Sequence, residues 1–367
     1  MSKHKAAANL PEEIIEEILL RLPVKSLSRF RCVSKSFNAM ISSPKFGDEH
    51  YEIAVRNPYD LSRHQIFVMN SMFELNAEAF SESHFSLDKF ELINPDFTLV
   101  SSGFKTCISS KGLICFSINY VFGRPDIYLW NPMNANYEEL YGRYDIDPDC
   151  IYYPMGFGYD SSTDDHKIVI PFEPRGEEVG DLVRFQVYSL TTLNWTEIEG
   201  RNELGPFTFP YLRSGIYLKG EIYWLGFGRK KRMIMCFDVG DEEFYPIQPP
   251  VHECKQAKTM EMGVLGDCLS VCIGEEGNGV ALWVMKDYYE ERSWNKMAFI
   301  PFNIIPDSIC CLMPIFVLEN GEVLMFCPVN SGLSIFNLKE NKCISILPTS
   351  EVPIVVTAHL GCLIPYL

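Results

Sequence analysis

The first 50 residues place apolar side chains with the period of an α-helix. Isoleucine and leucine recur three or four positions apart, at Ile14, Ile15, Ile18, Leu19 and Leu22. This spacing predicts a helix with one apolar stripe. Asn9 and Glu12 have the spacing of a capping box, and Pro23 cannot continue a helix. We therefore predict a first helix that is capped by Asn9 and ends before Pro23.

A second apolar set continues the helical period beyond Pro23. Its members are Leu27, Phe30, Val33, Phe37, Met40 and Ile41. Basic residues lie between them, and Ser34 can cap a short third helix. Three short helices in about 35 residues are too few to enclose a core of their own. We expect their excess apolar surface to pack against a partner protein or against the rest of this chain.

From about residue 60 onward the helical period fades, and short apolar runs are separated by Gly, Asn, Asp and Pro. This pattern predicts β-strands joined by tight turns. One unit recurs, in which an apolar strand is followed by a polar turn and a second strand. Its aligned positions, with spacings of 58, 49, 48 and 51 residues, are Trp130, Tyr188, Phe237, Met285 and Phe336. Glycine-containing hairpins precede three of the copies, at Gly112, Gly220 and Gly321.

A repeat of about 50 residues with four strands has the size of a kelch-like propeller blade. The segments 62–92 and 353–367 also resemble strands. We expect them to complete one further blade together, because closure leaves no sheet edge open. The sequence thus predicts an all-β propeller-like domain with six blades favoured and five to eight allowed. A β-sandwich is the second choice.

Charge divides the chain unequally. The whole chain has 32 basic and 48 acidic residues. Residues 1–50 contain 8 of the basic and 6 of the acidic residues, so the remainder has 24 basic and 42 acidic residues and a net charge of −18. Such an acidic domain repels nucleic-acid phosphates and anionic membranes, so neither is expected as a partner. The acidic residues either favour a basic protein target or only keep an aromatic-rich domain in solution.

Candidate chemistry is sparse. The 13 cysteines contain no C-x-x-C pair and fall inside apolar runs, so we interpret them as reduced core residues. His252 and Cys254 lie close together, but no second pair of metal ligands accompanies them. We interpret Gly226-Phe227-Gly228 as a hairpin tip. The acidic run 145–149 is interpreted as an exposed loop. The aromatic residues expected in the core are Trp130, Tyr188, Trp195, Trp224 and Trp294. We expect no cofactor, no metal and no catalytic residue.

The chain shows no signal for a membrane or for secretion. No run of about 20 apolar residues occurs, and residues 1–9 lack an apolar signal core. We therefore expect a cytoplasmic or nuclear protein.

The segment Leu10–Leu27 begins with Leu-Pro and ends with Leu-Pro-Val-Lys-Ser-Leu, and it resembles the F-box, especially its plant form. Residues 29–37 continue the match, with Phe37 where the family usually has Trp, so a small weakening at most is expected there. The resemblance implies binding to a Skp1-like adaptor and, through it, to cullin-1 and a RING subunit. The residues implied in the adaptor interface or in the packing beneath it are Leu10, Pro11, Ile14, Ile15, Ile18, Leu22, Pro23, Val24, Leu27, Phe30 and Val33.

The strand-rich part carries a second resemblance. Residues 156–169, 130–132 and 282–287 resemble the plant F-box-associated domain, most closely in its S-locus F-box-like group. We therefore divide the chain into a three-helix F-box (1–50), a connecting segment with a first partial blade (51–104) and an F-box-associated β-propeller (105–367).

These resemblances imply a non-catalytic substrate-recognition subunit of an SCF-type (Skp1–cullin–F-box) ubiquitin ligase, which directs a bound protein to proteasomal degradation. A basic protein of the S-ribonuclease type is one candidate target. Two alternatives stay open: an F-box scaffold that does not degrade its partner, and a propeller enzyme acting on a small molecule or glycan.

Overall fold

The computed structural model describes most of the chain. The residues described are 10–56, 64–68, 71–74, 92–93, 104–118, 126–131, 136–140, 147, 149–176, 181–202, 205–209, 213–228, 232–250, 259–275, 277–286, 294–305, 311–318, 320–327, 332–347 and 356–360. Within these ranges, no helix has the length and apolar character needed to cross a membrane.

The N-terminal part contains four helices. Their bounds are α1 Glu12–Leu20, α2 Val24–Phe30, α3 Lys35–Ile41 and α4 Pro44–Arg56. The prediction of three helices is wrong, because the residues after Ser43 form a further helix. Phe46, His50 and Ala54 recur every four residues in α4 and are buried on one face of it. The helix is held in place by His50, whose Nε2 lies 2.9 Å from the carbonyl oxygen of Leu22.

Local signals set some of the helix ends. Ser34 caps α3 as predicted, because its side-chain oxygen accepts a hydrogen bond from the backbone N–H of Phe37 at 3.1 Å. At α1, Pro11 occupies the N-cap position, without a side-chain hydrogen bond. The predicted capping box of Asn9 and Glu12 is therefore wrong, and Asn9 itself lies outside the described residues.

The strand-rich part forms six sheets within the described residues. Blade 1 contains β4 Phe104–Ser110, β5 Leu113–Ile118, β6 Asp126–Asn131 and β7 Asn136–Glu139. Blade 2 contains β8 Cys150–Tyr152, β9 Gly156–Asp160, β10 Asp165–Pro174, β11 Leu182–Ser189 and β12 Asn194–Arg201. Blade 3 contains β13 Phe207–Thr208, β14 Ile216–Leu218, β15 Glu221–Gly228, β16 Arg232–Asp238 and β17 Phe244–Ile247. Blade 4 contains β18 Met260–Leu265, β19 Cys268–Glu275, β20 Gly279–Met285 and β21 Trp294–Pro301. Blade 5 contains β22 Met313–Val317, β23 Val323–Cys327, β24 Gly332–Asn337 and β25 Lys342–Leu347. The remaining sheet, called the composite sheet below, contains β1 His64–Val68, β2 Ser71–Glu74, β3 Leu92–Ile93 and β26 Val356–Leu360.

The five blades are antiparallel sheets of consecutive strands, and their inner strands form an arc. Contacts run from β4 to β9, from β9 to β14, from β14 to β18 and from β18 to β22. In blade 2 the inner strand is in two pieces, since β8 and β9 both pair with β10, and blade 3 repeats this with β13 and β14 on β15. This succession of sheets around a common centre is a propeller rather than the two facing layers of a β-sandwich.

The composite sheet joins the two ends of the strand-rich part. β26 pairs antiparallel with β1, with Val356 opposite Val68 and Leu360 opposite His64. The predicted pairing of the segment 62–92 with the segment 353–367 is thus confirmed. β26 also contacts the inner strand β4 of blade 1 and the inner strand β22 of blade 5. The structure therefore has five blades built from consecutive strands, which lies within the predicted range of five to eight, and the favoured count of six is wrong.

The core lies between neighbouring blades. All five aligned repeat positions are buried: Trp130, Tyr188, Phe237, Met285 and Phe336. Tyr188 belongs to the cluster between blades 1 and 2, and Phe237 to the cluster between blades 2 and 3. Met285 and Phe336 hold the same positions between blades 3 and 4 and between blades 4 and 5. These repeat positions thus mark side chains that pack against the preceding blade. Of the five aromatics predicted in the core, Trp130, Tyr188 and Trp224 are buried as predicted, whereas Trp195 and Trp294 are only half-buried.

Candidate functional site: an exposed apolar set on the first helices

The structure divides the eleven residues that sequence reasoning assigned to the adaptor interface or its packing. Six are exposed, and we call them the exposed apolar set: Leu10, Pro11, Ile14, Ile18, Phe30 and Val33. The other five are buried or half-buried: Ile15, Leu22, Pro23, Val24 and Leu27. Val33 is 65% exposed and Ile18 is 48% exposed, although the propeller is present in the same molecule. The described strands therefore do not cover the exposed apolar set.

Helix geometry explains the division. Ile14 and Ile18 are four residues apart and lie on one side of α1, while Ile15 and Leu19 lie on the neighbouring side. The inward side packs into a small core with Leu27, which is fully buried. The predicted single stripe on the first helix is therefore two adjacent faces, one of which fills the helical core while the other is left for contacts outside it.

Phe37 supports the exposed apolar set from beneath. It is half-buried, packs against the helical core and lies 6.2 Å from the ring of Phe30, measured between ring centroids. The hydrogen bond from its backbone N–H to Ser34 fixes the start of α3 at this point. A phenylalanine here fills an apolar position and touches its exposed neighbour, which is the role expected for the residue that departs from the usual F-box pattern.

Charged residues of opposite sign flank the set. Glu12, Glu13 and Glu17 are exposed on α1, whereas Arg29 and Arg31 are exposed at the end of α2. Arg31 donates a hydrogen bond from Nε to Oδ1 of Asn38 at 3.2 Å, an arrangement that leaves its charge at the surface. Apolar side chains with a charged periphery are the composition of a protein-binding patch, where the apolar residues supply affinity and the charges supply orientation.

The polar clusters of the propeller tie blades together. Lys167 is almost completely buried, and its Nζ lies 3.2 Å from Oδ2 of Asp160 and 2.9 Å from Oε1 of Glu242, which follows β16 in blade 3. Burial alone would raise the pKa of Asp160, but hydrogen bonds from Ser162, Thr163 and Lys167 outweigh it and hold the pKa below its usual value. The carboxylate is thus fully engaged by structural partners.

The sequence candidates that lie within the described residues do not assemble a metal site. Among the described residues, no group of three or more His, Cys, Asp and Glu side chains is arranged to hold a metal ion. Burial raises the pKa of the thiols of Cys107, Cys115 and Cys272, so these cysteines remain protonated core residues. Gly226 and Gly228 lie at the end of β15, which pairs with β16 as a hairpin. His252 and Cys254 lie outside the described residues.

Family comparisons agree with both parts of this architecture. A model of the F-box domain matches residues 8–49, and a model of the F-box associated beta propeller domain matches residues 61–365. The chain belongs to this family. It is an F-box protein with an F-box-associated β-propeller, so this part of the resemblance seen in the sequence is confirmed.

Two curated relatives of this F-box protein illustrate the similarity, and both come from Arabidopsis thaliana. An F-box/kelch-repeat protein is 30% identical over 346 residues, which cover 91% of this chain and 89% of the relative. F-box protein CPR1 is 26% identical over 377 residues, which cover 96% of this chain and 87% of the relative. Among solved structures, TolB from Acinetobacter baumannii has a TM-score of 0.49 and 11% identity over 85% of this chain and 70% of its own.

Sequence reasoning located the first three helices of the F-box but missed α4. The signal was present in the four-residue recurrence of Phe46, His50 and Ala54, yet a buried histidine and a small alanine are weak markers of an apolar face. The missing helix matters because Asp48, also on α4, contacts the propeller through Lys111.

Proposed function

We propose that this F-box protein is the substrate-recognition subunit of an SCF-type ubiquitin ligase that acts in the cytoplasm or nucleus. In this role the helices bind a Skp1-like adaptor, and the adaptor connects the chain to cullin-1 and a RING subunit. The propeller holds the target protein. The chain supplies no catalytic side chain and acts by raising the effective concentration of a target lysine near the ubiquitin-loaded enzyme.

The observation that carries the proposal is the exposed apolar set. Ile14, Ile18 and Val33 stay at the surface of a domain that buries Leu19, Leu27 and Ile41 in its core. Large exposed aliphatic side chains on a helix are the anchors of helix-in-groove recognition. A groove on an adaptor that covers them would remove their apolar area from water, which is the main favourable contribution to such an association.

The test compares two isoleucines of similar exposure. Ile18 is 48% exposed on α1, and Ile344 is 42% exposed on β25 of blade 5. Truncation of an interface anchor costs about 1–2 kcal/mol, so we expect Ile18→Ala to weaken adaptor binding about tenfold in a calorimetric titration of the purified chain. Ile344→Ala removes the same atoms far along the chain and is expected to bind as the wild type does.

Equal affinities of Ile18→Ala, Ile344→Ala and the wild type would contradict the role of the exposed apolar set. The double variant Ile14→Ala/Ile18→Ala strengthens the test, because both residues lie on the same side of α1 and neither belongs to the helical core.

For the target we propose a basic protein, and we assign the chain to the S-locus F-box-like group, in which S-ribonuclease-type proteins are candidate targets. Support comes from the net charge of −18 on residues 51–367. Attraction between an acidic domain and a basic protein is screened by salt. Capture of a basic ribonuclease should therefore weaken when salt rises from about 0.05 M to about 0.5 M, whereas adaptor binding through apolar contacts should change much less. Capture of an acidic target that is unaffected by salt would refute the proposal.

Degradation is tested with the same adaptor variant. Ile14→Ala/Ile18→Ala leaves the propeller unchanged, so it should still capture the target but allow the target to accumulate in cells. If target levels are the same with the wild type, with the variant and with the ligase blocked, the chain is a scaffold that does not degrade its partner.

A further inference from the structure

One buried lysine links the helical domain to two blades. Lys111 lies in the turn between β4 and β5, and its side chain is only 11% exposed. Its Nζ is 3.0 Å from Oδ1 of Asp48 on α4 and 3.7 Å from Oδ1 of Asp164 in blade 2. It also donates a hydrogen bond to the hydroxyl of Tyr159 in blade 2 at 2.7 Å and lies 3.9 Å from the centroid of that ring. The helices, blade 1 and blade 2 therefore meet at a single amine.

The propeller side of this junction is held rigidly. The hydroxyl of Tyr159 donates a hydrogen bond to Asp164 at 2.6 Å, and the backbone carbonyl of Tyr159 accepts one from the hydroxyl of Tyr217 at 2.9 Å. The buried ring of His166 lies 5.0 Å from the ring of Tyr159. Burial alone would lower the pKa of Lys111, but hydrogen bonds to Tyr159 and Asp48 outweigh it and raise the pKa. The lysine is thus a positive charge that Tyr159 and Asp48 hold in place together.

On the helical side, buried neighbours anchor the helix that carries Asp48. Asp48 lies on α4 between Phe46 and His50, which are both fully buried. His50 contacts the carbonyl oxygen of Leu22 through Nε2, and Leu22 packs in the core beneath the exposed apolar set. The side chain of Asp48 is 56% exposed, so the ion pair is enclosed at its lysine end and open to solvent at its aspartate end. A continuous path of contacts therefore runs from the adaptor-binding helices to the propeller.

Lys219 occupies the equivalent turn of blade 3 and serves as a comparison for Lys111. Lys219 precedes Gly220 in the turn between β14 and β15, as Lys111 precedes Gly112, and both lysines have a positive φ. Nζ of Lys219 lies 2.9 Å from Oδ2 of Asp267 in the corresponding turn of blade 4. A lysine in this turn thus reaches the next blade in both places. At Lys111 the pattern is extended to an aspartate of the F-box.

We propose that Lys111 is a positioning residue that fixes the orientation of the propeller relative to the F-box through its ion pair with Asp48. The inference rests on the proposed function, in which a set orientation holds the target at a constant distance from the ubiquitin-loaded enzyme. The ion pair itself, however, exists in the free chain and is measurable without any adaptor or target.

The experiment measures the distance between the two domains in the full chain. Fluorophores are introduced through unnatural amino acids at the exposed positions Ala39 on α3 and Lys339 between β24 and β25. Single-molecule energy transfer should give one narrow distance distribution for the wild type. Asp48→Asn should broaden or shift this distribution, and Asp48→Glu, which keeps the charge, should restore most of it.

Asp267→Asn is the matched control, because it removes an ion pair of the same kind from the same turn position and leaves the F-box junction intact. Its distribution should match the wild type. Identical distributions for the wild type and Asp48→Asn would overturn the proposal, and so would equal broadening by Asp267→Asn. Adaptor affinity is measured in parallel and should stay within about twofold of the wild type in all variants. A wild-type chain that fails to bind the adaptor would defeat the proposed function while leaving the distance result valid.

Discussion

Gly263 lies where the inner strand of blade 4 packs closely against the inner strand of blade 5. A Cβ atom at this position would stand 1.9 Å from the carbonyl oxygen of Pro314, and a backbone atom of a neighbouring blade cannot move aside without moving its strand. We expect Gly263→Ala to destabilise the domain by about 3 kcal/mol, as forced overpacking does, and to lower the midpoint of denaturant unfolding. Gly240→Ala is the control, since its nearest contact would be an ordinary 3.4 Å to a side chain of Asp238. If both variants unfold at the same denaturant concentration, the two strands move apart enough to accommodate the added methyl group, and the expected destabilisation is absent.

His166 makes the stability of the propeller depend on acidity. Burial is the main cause that lowers the pKa of His166 to about 4, and the positive charge of Lys111 lowers it further. A hydrogen bond to the carbonyl of Ser110 and the charges of Asp165 and Asp164 act in the opposite direction. In the unfolded chain the ring takes up protons near pH 6.5, so the unfolded state binds more protons between these values. The contribution of His166 is fully present above pH 6.5 and is lost as the pH falls towards 4, with a size of about 3 kcal/mol.

Replacement of His166 by a residue that does not titrate isolates this effect. His166→Gln should flatten the dependence of the unfolding free energy on pH between 6.5 and 4.5, whatever its effect on stability at neutral pH. The slope is the quantity to compare, measured by denaturant titrations at several pH values. A slope identical to that of the wild type would mean that other groups carry the acid sensitivity.

At the scale of elements, α3 depends on its N-cap. Ser34 satisfies a backbone N–H that has no partner within the helix, and its loss costs about 1 kcal/mol. Ser34→Ala should therefore speed hydrogen exchange of the α3 amides about fivefold. Ser36→Ala lies in the same helix without a cap role and substitutes a better helix former, so its exchange should not accelerate. If both variants exchange at the same rate, the hydrogen bond to Phe37 contributes nothing to the helix.

The elements also show what a sequence pattern can and cannot predict. The four-strand repeat and its turns were predictable, because Gly112 and Gly220 adopt positive φ values that favour glycine. The division of Ile14 from Ile15 was not, since both are apolar and only the packing of the other helices decides which side is covered. The inner strand of blade 2 is divided into β8 and β9, which both pair with β10. This division was not predicted, because a run of apolar residues does not show where strand pairing stops.

The junction of Asp48 and Lys111 depends on the whole molecule. Neither residue stands out in the sequence, because a sequence does not show whether a charged residue is exposed or buried. The two residues are also far apart along the chain. The 3.0 Å contact exists only once α4 and the first hairpin have both been placed. Apolar positions within a single helix can therefore be predicted from the sequence, whereas contacts between domains cannot.

The composite sheet determines whether the propeller is a closed structure. β26 pairs along its length with β1 and touches the inner strands of blades 1 and 5, so it connects the two ends of the arc of blades. Removal of residues 353–367 would expose the edge of β1 and uncover one side of both β4 and β22. We expect this truncated chain to unfold at a lower temperature and to exchange the amides of β4 and β22 faster than those of β15. Removal of residues 361–367 alone keeps β26 intact and should leave both measurements near the wild type. A chain ending at residue 352 that unfolds as the wild type does would show that the five consecutive blades are stable without closure, because their clusters between blades would then be sufficient.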